Sequence, residues 1–365
     1  MDPQSPPVLQ PTEATGHPSA PGESVSAAFD RRSLLQALVG DGRPLLMLTA
    51  LALLFSGGFA LFLALVRQFL PHDLAFLGMS AAELCALGDC RVVAFMVHDR
   101  ATFGGVLIAI GTLYLWLTEF PLRRGAAWSW WTLVLSGATG FASFLGYLGY
   151  GYLDTWHGVA TLLLLPVFAA GLALTWKGLR GSRSPRALLI PGWRPTRWAS
   201  LDGIGRLLLL LTAAGMVAAG LTIQLIGITQ VFVPQDLAFM RLTAEQLRAI
   251  NSNLVPLIAH DRAGFGGGLI STGLAMGFAV WCGRPGPALW QAVGLAGLAG
   301  FLCAIGVHFW IGYTDALHLA PAILGAIQFG VGFASSAPVM LHGARALAAQ
   351  PAEPAEYELQ QTGAR

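Results

Sequence analysis

The sequence predicts an all-α integral membrane protein, with eight transmembrane helices arranged as two parallel-related four-helix bundle repeats. Three observations predict it. Of 365 residues, 55% are hydrophobic and only 11% charged, and the mean hydropathy is +0.62. A water-soluble domain carries roughly 25% charged residues, because its surface faces water. Apolar runs long enough to cross a hydrocarbon core of about 30 Å recur along the chain. The second half also repeats the first. This composition excludes an ordinary soluble enzyme and a disordered chain. The net charge of +2, without a basic patch interleaved with aromatics, points to no nucleic-acid partner. The expected partner is the lipid bilayer.

Residues 1–40 are polar and rich in Pro and Ser, and read as a flexible cytoplasmic tail. No cleavable signal peptide is expected, because the first apolar run is already long enough to span. The first four-helix repeat is expected over 41–180, with spans at 45–66, 92–117, 128–150 and 153–176. Gly149, Gly151 and Asp154 mark the turn between the last two. A basic linker over 181–206 leads into the second repeat, 207–345. Its spans fall at 207–230, 254–281, 288–311 and 314–337, with a turn at Gly312 and Asp315. Residues 346–365 form a second flexible tail. Arginine and lysine collect on cytoplasmic segments of membrane proteins. With both termini cytoplasmic, most of the 21 basic residues fall inside, and the run from Lys177 to Arg206 votes most strongly. The expected location is the plasma (inner) membrane.

The repeat is explicit. FLPHDLAF at 69–76 matches FVPQDLAF at 232–239, and HDRATFGGVLIAIG at 98–111 matches HDRAGFGGGLISTG at 260–273. GYLDTWH at 151–157 matches GYTDALH at 312–318. The three matches keep their order at a near-constant offset, which points to tandem duplication of a four-helix unit. Because four is even, both halves share one orientation, with the symmetry axis along the membrane normal.

The duplication acts as an internal comparison. Of eight histidines, His98 recurs as His260 and His157 as His318, whereas His72 and His308 have no histidine counterpart and read as incidental. Asp99, Arg100 and Asp154 recur as Asp261, Arg262 and Asp315. Ionisable groups at membrane depth are costly, face a bundle interior and mark function. Asp154 and His157 are three apart and share a helix face. Asp154 would accept the second ring N–H of a ligand histidine and fix its tautomer. Gly104 and Gly105, beside Phe103, make a small-residue face that a flat cofactor or a neighbouring helix would approach closely.

Three readings of the histidines stand side by side. The first is bis-histidine haem ligation by His98 with His157 and His260 with His318, Arg100 and Arg262 pairing with the propionates. The second is a non-haem metal held by His98, Asp154 and His157, and by His260, Asp315 and His318. The third is a network without any cofactor, serving structure or gating in a transporter or channel-like protein. Under the first two, the protein would perform redox chemistry or electron transfer near the outer face, with a quinone or another redox partner.

The layout resembles the haem A synthase family, which has two tandem four-helix halves. Its haem-ligand histidines lie on the second and fourth helices of each half, and a cysteine pair lies in the first outer loop. The resemblance places the ligands at His98, His157, His260 and His318, with Cys85 and Cys90 as the loop pair. It covers roughly residues 45–340 as architecture. Where that family has a glutamate shortly before its first histidine, this chain reads Phe95-Met96-Val97-His98. What carries over is a haem-binding bundle.

Cys85 and Cys90 would lie in an outer loop, either joined as a staple or as free thiols. The segment after each DLAF, MSAAELCAL in the first half and LTAEQLRAIN in the second, reads as a short helix over the outer face, the latter with a capping box. No Walker loop, dinucleotide fingerprint, HExxH or GxSxG elbow is present, so no catalytic group is named.

Overall fold

The computed structural model describes residues 39–87, 89–143, 152, 155–195 and 197–348, apart from the side chains of residues 156, 157 and 343–348. Helices account for most of it, and no strand occurs among the described residues. In chain order the helices are α1 (Arg43–Val66), α2 (Pro71–Leu77), α3 (Ala81–Leu87), α4 (Arg91–Glu119), α5 (Ala127–Ser143) and α6 (Thr155–Thr175). There follow α7 (Leu201–Ile228), α8 (Pro234–Met240), α9 (Ala244–Ile250), α10 (Leu254–Cys282), α11 (Pro287–Ile311) and α12 (Ala316–Ala348). Seven of these, α1, α4, α6, α7, α10, α11 and α12, are long and apolar enough to cross a membrane. The protein is a multi-pass membrane protein.

The expected third span, 128–150, is a helix of 17 residues, α5, and its remaining part lies outside the described residues. The glycines and Asp154 expected at the following turn also lie outside them.

Local chemistry sets the helix limits. Gly42, at φ 93°, takes a left-handed turn that only glycine adopts freely, and proline sits in the first turn of α1. The short helices α2 and α8 start alike. Each has proline in its first turn, and the Asp73 or Asp236 carboxylate accepts the N–H of Leu70 or Val233. Gly312, at φ 77°, ends α11 through its N–H to the His308 carbonyl.

Two helices form the centre. The apolar windows of α4 and α10 are 78% and 67% buried, against 17–33% for the other spanning helices. α4 packs against α1, α10 and α11, while α10 packs against α7, α4 and α5. The GG pair in each HDRAxFGG segment permits these approaches. A Cβ on Gly104 would meet the Gly57 carbonyl of α1 at 2.9 Å, and one on Gly105 would meet Cys303 of α11 at 2.5 Å. On α10, Gly266 faces Gly220 and Gln224 of α7, and Gly267 faces Ser143 of α5. Thus the small-residue face anticipated for a cofactor or a helix is filled by helices. α11, from the second half of the sequence, lies against α4 of the first, and α5 lies against α10.

Candidate functional site

The site is built at the ends of α4 and α10 that lie beneath α2, α3, α8 and α9. His98 sits about two turns into α4, roughly 10 Å along its axis. Its Nδ1 is 2.9 Å from Asp99 Oδ1, and its Nε2 is 3.1 Å from Nε2 of His308 on α11. His308 Nδ1 is 2.5 Å from the Ala304 carbonyl. His318, in the first turn of α12, completes the group. The ligand nitrogens of His98, His308 and His318 all lie within 4.8 Å of one another. His98 and His308 are buried, and His318 is half-buried.

The proton positions follow from the partners. The Asp99 carboxylate and the Ala304 carbonyl can only accept, so each Nδ1 is the donor. If both rings are neutral, both Nε2 atoms are acceptors, with the rings edge-on at 84° and their centroids 4.3 Å apart. Two lone pairs at 3.1 Å repel unless a cation, either a proton or a metal ion, lies between them.

Behind the imidazoles runs a chain of buried charges. Asp99 Oδ2 is 3.4 Å from Nε of Arg262 on α10, whose NH1 is 2.7 Å from Asp236 Oδ2. The guanidinium also donates to the Val231 carbonyl at 2.6 Å and lies over the Phe95 ring at 4.8 Å. Asp236 accepts from the Tyr313 hydroxyl at 2.7 Å and lies 3.9 Å from His318 Nδ1. Tyr313 in turn stacks on His318 with ring centroids 4.4 Å apart. Tyr313 lies in the turn between spanning helices. Burial and the Asp236 carboxylate push its phenol well above the usual tyrosine range, so it remains a donor.

A related cluster forms from the first-half residues. Arg100 donates to the Asp73 carboxylate at 2.9 Å and to the Gln68 carbonyl at 2.8 Å, and Tyr152 donates to Asp73 at 2.6 Å. Asp73–Arg100–Tyr152 thus repeats Asp236–Arg262–Tyr313, contact for contact.

The residues singled out from the sequence therefore divide. His98, His318 and Arg262 come together. His260 is buried on α10 with its ring against Tyr152, centroids 5.1 Å apart. Arg100 and Arg262 are both engaged by carboxylates. Asp315 accepts the His318 backbone N–H at 2.8 Å and so caps α12, while the carboxylate near the imidazole is that of Asp236. Asp154 and the His157 side chain lie outside the described residues. Sequence reasoning missed His308, which carried no repeat signal. It also passed over Asp73, Asp236, Tyr152 and Tyr313, although these sit inside the repeated segments. A disulfide joins Cys85, within α3, to Cys90, at the start of α4.

The fold and site define a multi-pass helical membrane protein with a buried cluster of histidine, carboxylate and guanidinium groups. Compared with known proteins, the chain matches no family model, no curated protein and no solved structure.

Proposed function

We propose that this is a membrane-embedded metalloprotein whose transition-metal centre is held by His98, His308 and His318. The observation that carries the reading is the close pair of Nε2 atoms, 3.1 Å apart, with a third imidazole alongside. Metal–imidazole bonds of about 2.0 Å put adjacent tetrahedral ligands about 3.3 Å apart. Haem axial ligands stand on opposite faces of the iron, at about 4 Å separation, so the spacing favours a non-haem ion over haem. Three neutral nitrogens suit zinc, copper or iron. Asp99 orients His98 as carboxylates do behind metal-bound histidines, and Ala304 does the same for His308. The bound ion would supply a Lewis acid or a redox centre, and three protein ligands would leave a position for a small exogenous group.

The chain is read as a tandem duplication with eight spans, both termini cytoplasmic, in the plasma membrane. The excess of basic residues at one end of the bundle and the Cys85–Cys90 disulfide at the other support that orientation, since disulfides persist on the oxidising side. A cysteine introduced into the N-terminal tail should react with an impermeant thiol reagent only after the membrane is opened.

The competing reading has a proton shared between His98 and His308, in a polar network that gates a transporter or channel. Metal analysis of the purified protein, with a reduced-minus-oxidised absorption spectrum, separates the two. Stoichiometric zinc, copper or iron without a Soret band, lost in His308→Ala, supports the metal centre. Protein that stays metal-free after incubation with each ion favours the proton, and a Soret band restores haem.

A further inference from the structure

The connection from α6 to α7 carries charge that no ion pair among the described residues balances. Lys177, Arg180, Arg183, Arg186, Arg194 and Arg197 are all exposed, and Asp202 is the sole acidic residue between 177 and 206. Among the described residues, none of the six cations is in a salt bridge. The same stretch exposes large apolar side chains, Leu189 at 74% and Leu201 at 68%, with Ile190 and Trp198 above one half.

This segment is also held in place. The Arg180 N–H donates to the Gly125 carbonyl at 2.9 Å, the Trp131 indole donates to the Arg183 carbonyl at 2.9 Å, and the Gly192 N–H donates to the Trp281 carbonyl at 2.9 Å. Arg206 is buried between the Trp193 and Trp281 rings, at 4.7 and 4.9 Å, and donates to both of their carbonyls. The cations therefore project from a scaffold pinned to the ends of α5 and α10.

Setting topology requires positive charge near the span ends. It requires neither an ordered scaffold nor aliphatic and indole side chains exposed among the charges. Those two features fit the bilayer interface, where phosphates lie outward and acyl carbon lies beneath. We propose that residues 177–206 form a docking surface for the headgroups of anionic phospholipids in the adjoining leaflet. The cations take the phosphates, and Leu189, Ile190 and Trp198 enter the interface. This surface is independent of the metal centre.

The test uses the purified full-length chain in nanodiscs of mixed phosphatidylglycerol and phosphatidylcholine, with retained lipids counted by native mass spectrometry. Wild-type protein should retain phosphatidylglycerol with an enrichment on the order of fivefold or more. The variant combining Arg180→Gln, Arg183→Gln, Arg186→Gln and Arg194→Gln should lose that enrichment, and the matching Arg→Lys variant should keep most of it. No enrichment in wild-type protein overturns the proposal. So does enrichment abolished by millimolar inorganic phosphate, which would make the site one for a free anion. If the Gln variant fails to assemble, the wild-type enrichment and its loss at high salt decide the question alone. Failure here would leave metal content untouched.

Discussion

Asp236 carries more contacts than its place in a short surface helix suggests. It caps α8, pairs with Arg262, accepts from Tyr313 and faces His318. Removing one partner of a buried ion pair strands the other, at a cost of about 3–5 kcal/mol. Asp236→Asn should therefore lower unfolding stability by that order, whereas Asp315→Asn, at an exposed cap, should cost below about 1 kcal/mol. Reversible denaturation in mixed micelles would measure both. Tyr313 offers a pH test. Its folded-state phenol sits above the unfolded value of about 10. The stability it contributes is therefore complete below that pH and declines as pH rises toward the folded value. In the folded protein, Tyr313→Phe should leave the phenolate absorbance that develops near pH 10 unchanged. Loss of a tyrosine's share of that absorbance would show an ordinary phenol.

At the scale of elements, the glycines separate two kinds of helix face. Gly57 and Gly58 are neighbours on α1, yet a Cβ on Gly57 would meet the Gly104 carbonyl of α4 at 2.6 Å, while one on Gly58 meets nothing within 4 Å. Gly57→Ala should destabilise by about 1–3 kcal/mol, as overpacking does. Gly58→Ala should be neutral or stabilising by up to about 1 kcal/mol, since alanine favours a helix. The same denaturation series would report both. Seven of the eight expected span positions were legible in the sequence, because twenty apolar residues leave few alternatives to a membrane helix, and Gly104 and Gly105 were visible as a small-residue face. What the sequence did not disclose was which helices meet there. His308 reaches His98 only because α11 crosses to α4, and no periodicity in either helix records that crossing. The partners Asp236 and Tyr313 stood in the repeated segments. Their role stayed hidden because a capping aspartate and a turn tyrosine have local explanations that suffice.

For the whole molecule, the two sets of repeated segments differ in what they hold among the described residues. The Asp–Arg–Tyr cluster appears in both halves, at Asp73–Arg100–Tyr152 and Asp236–Arg262–Tyr313. The three-imidazole group takes His98 from the first half and His308 and His318 from the second. The carboxylate–guanidinium cluster holds helix ends together, and on the proposed reading the unrepeated His308 would make a ligand set beside one of its two copies. X-ray absorption at the metal edge tests this most directly. The account predicts zinc, copper or iron bound by histidine nitrogens at about 2.0 Å, with three imidazoles in the wild-type protein and a reduced count in His308→Ala. A tetrapyrrole coordination pattern, or an imidazole count unchanged by His308→Ala, would contradict it.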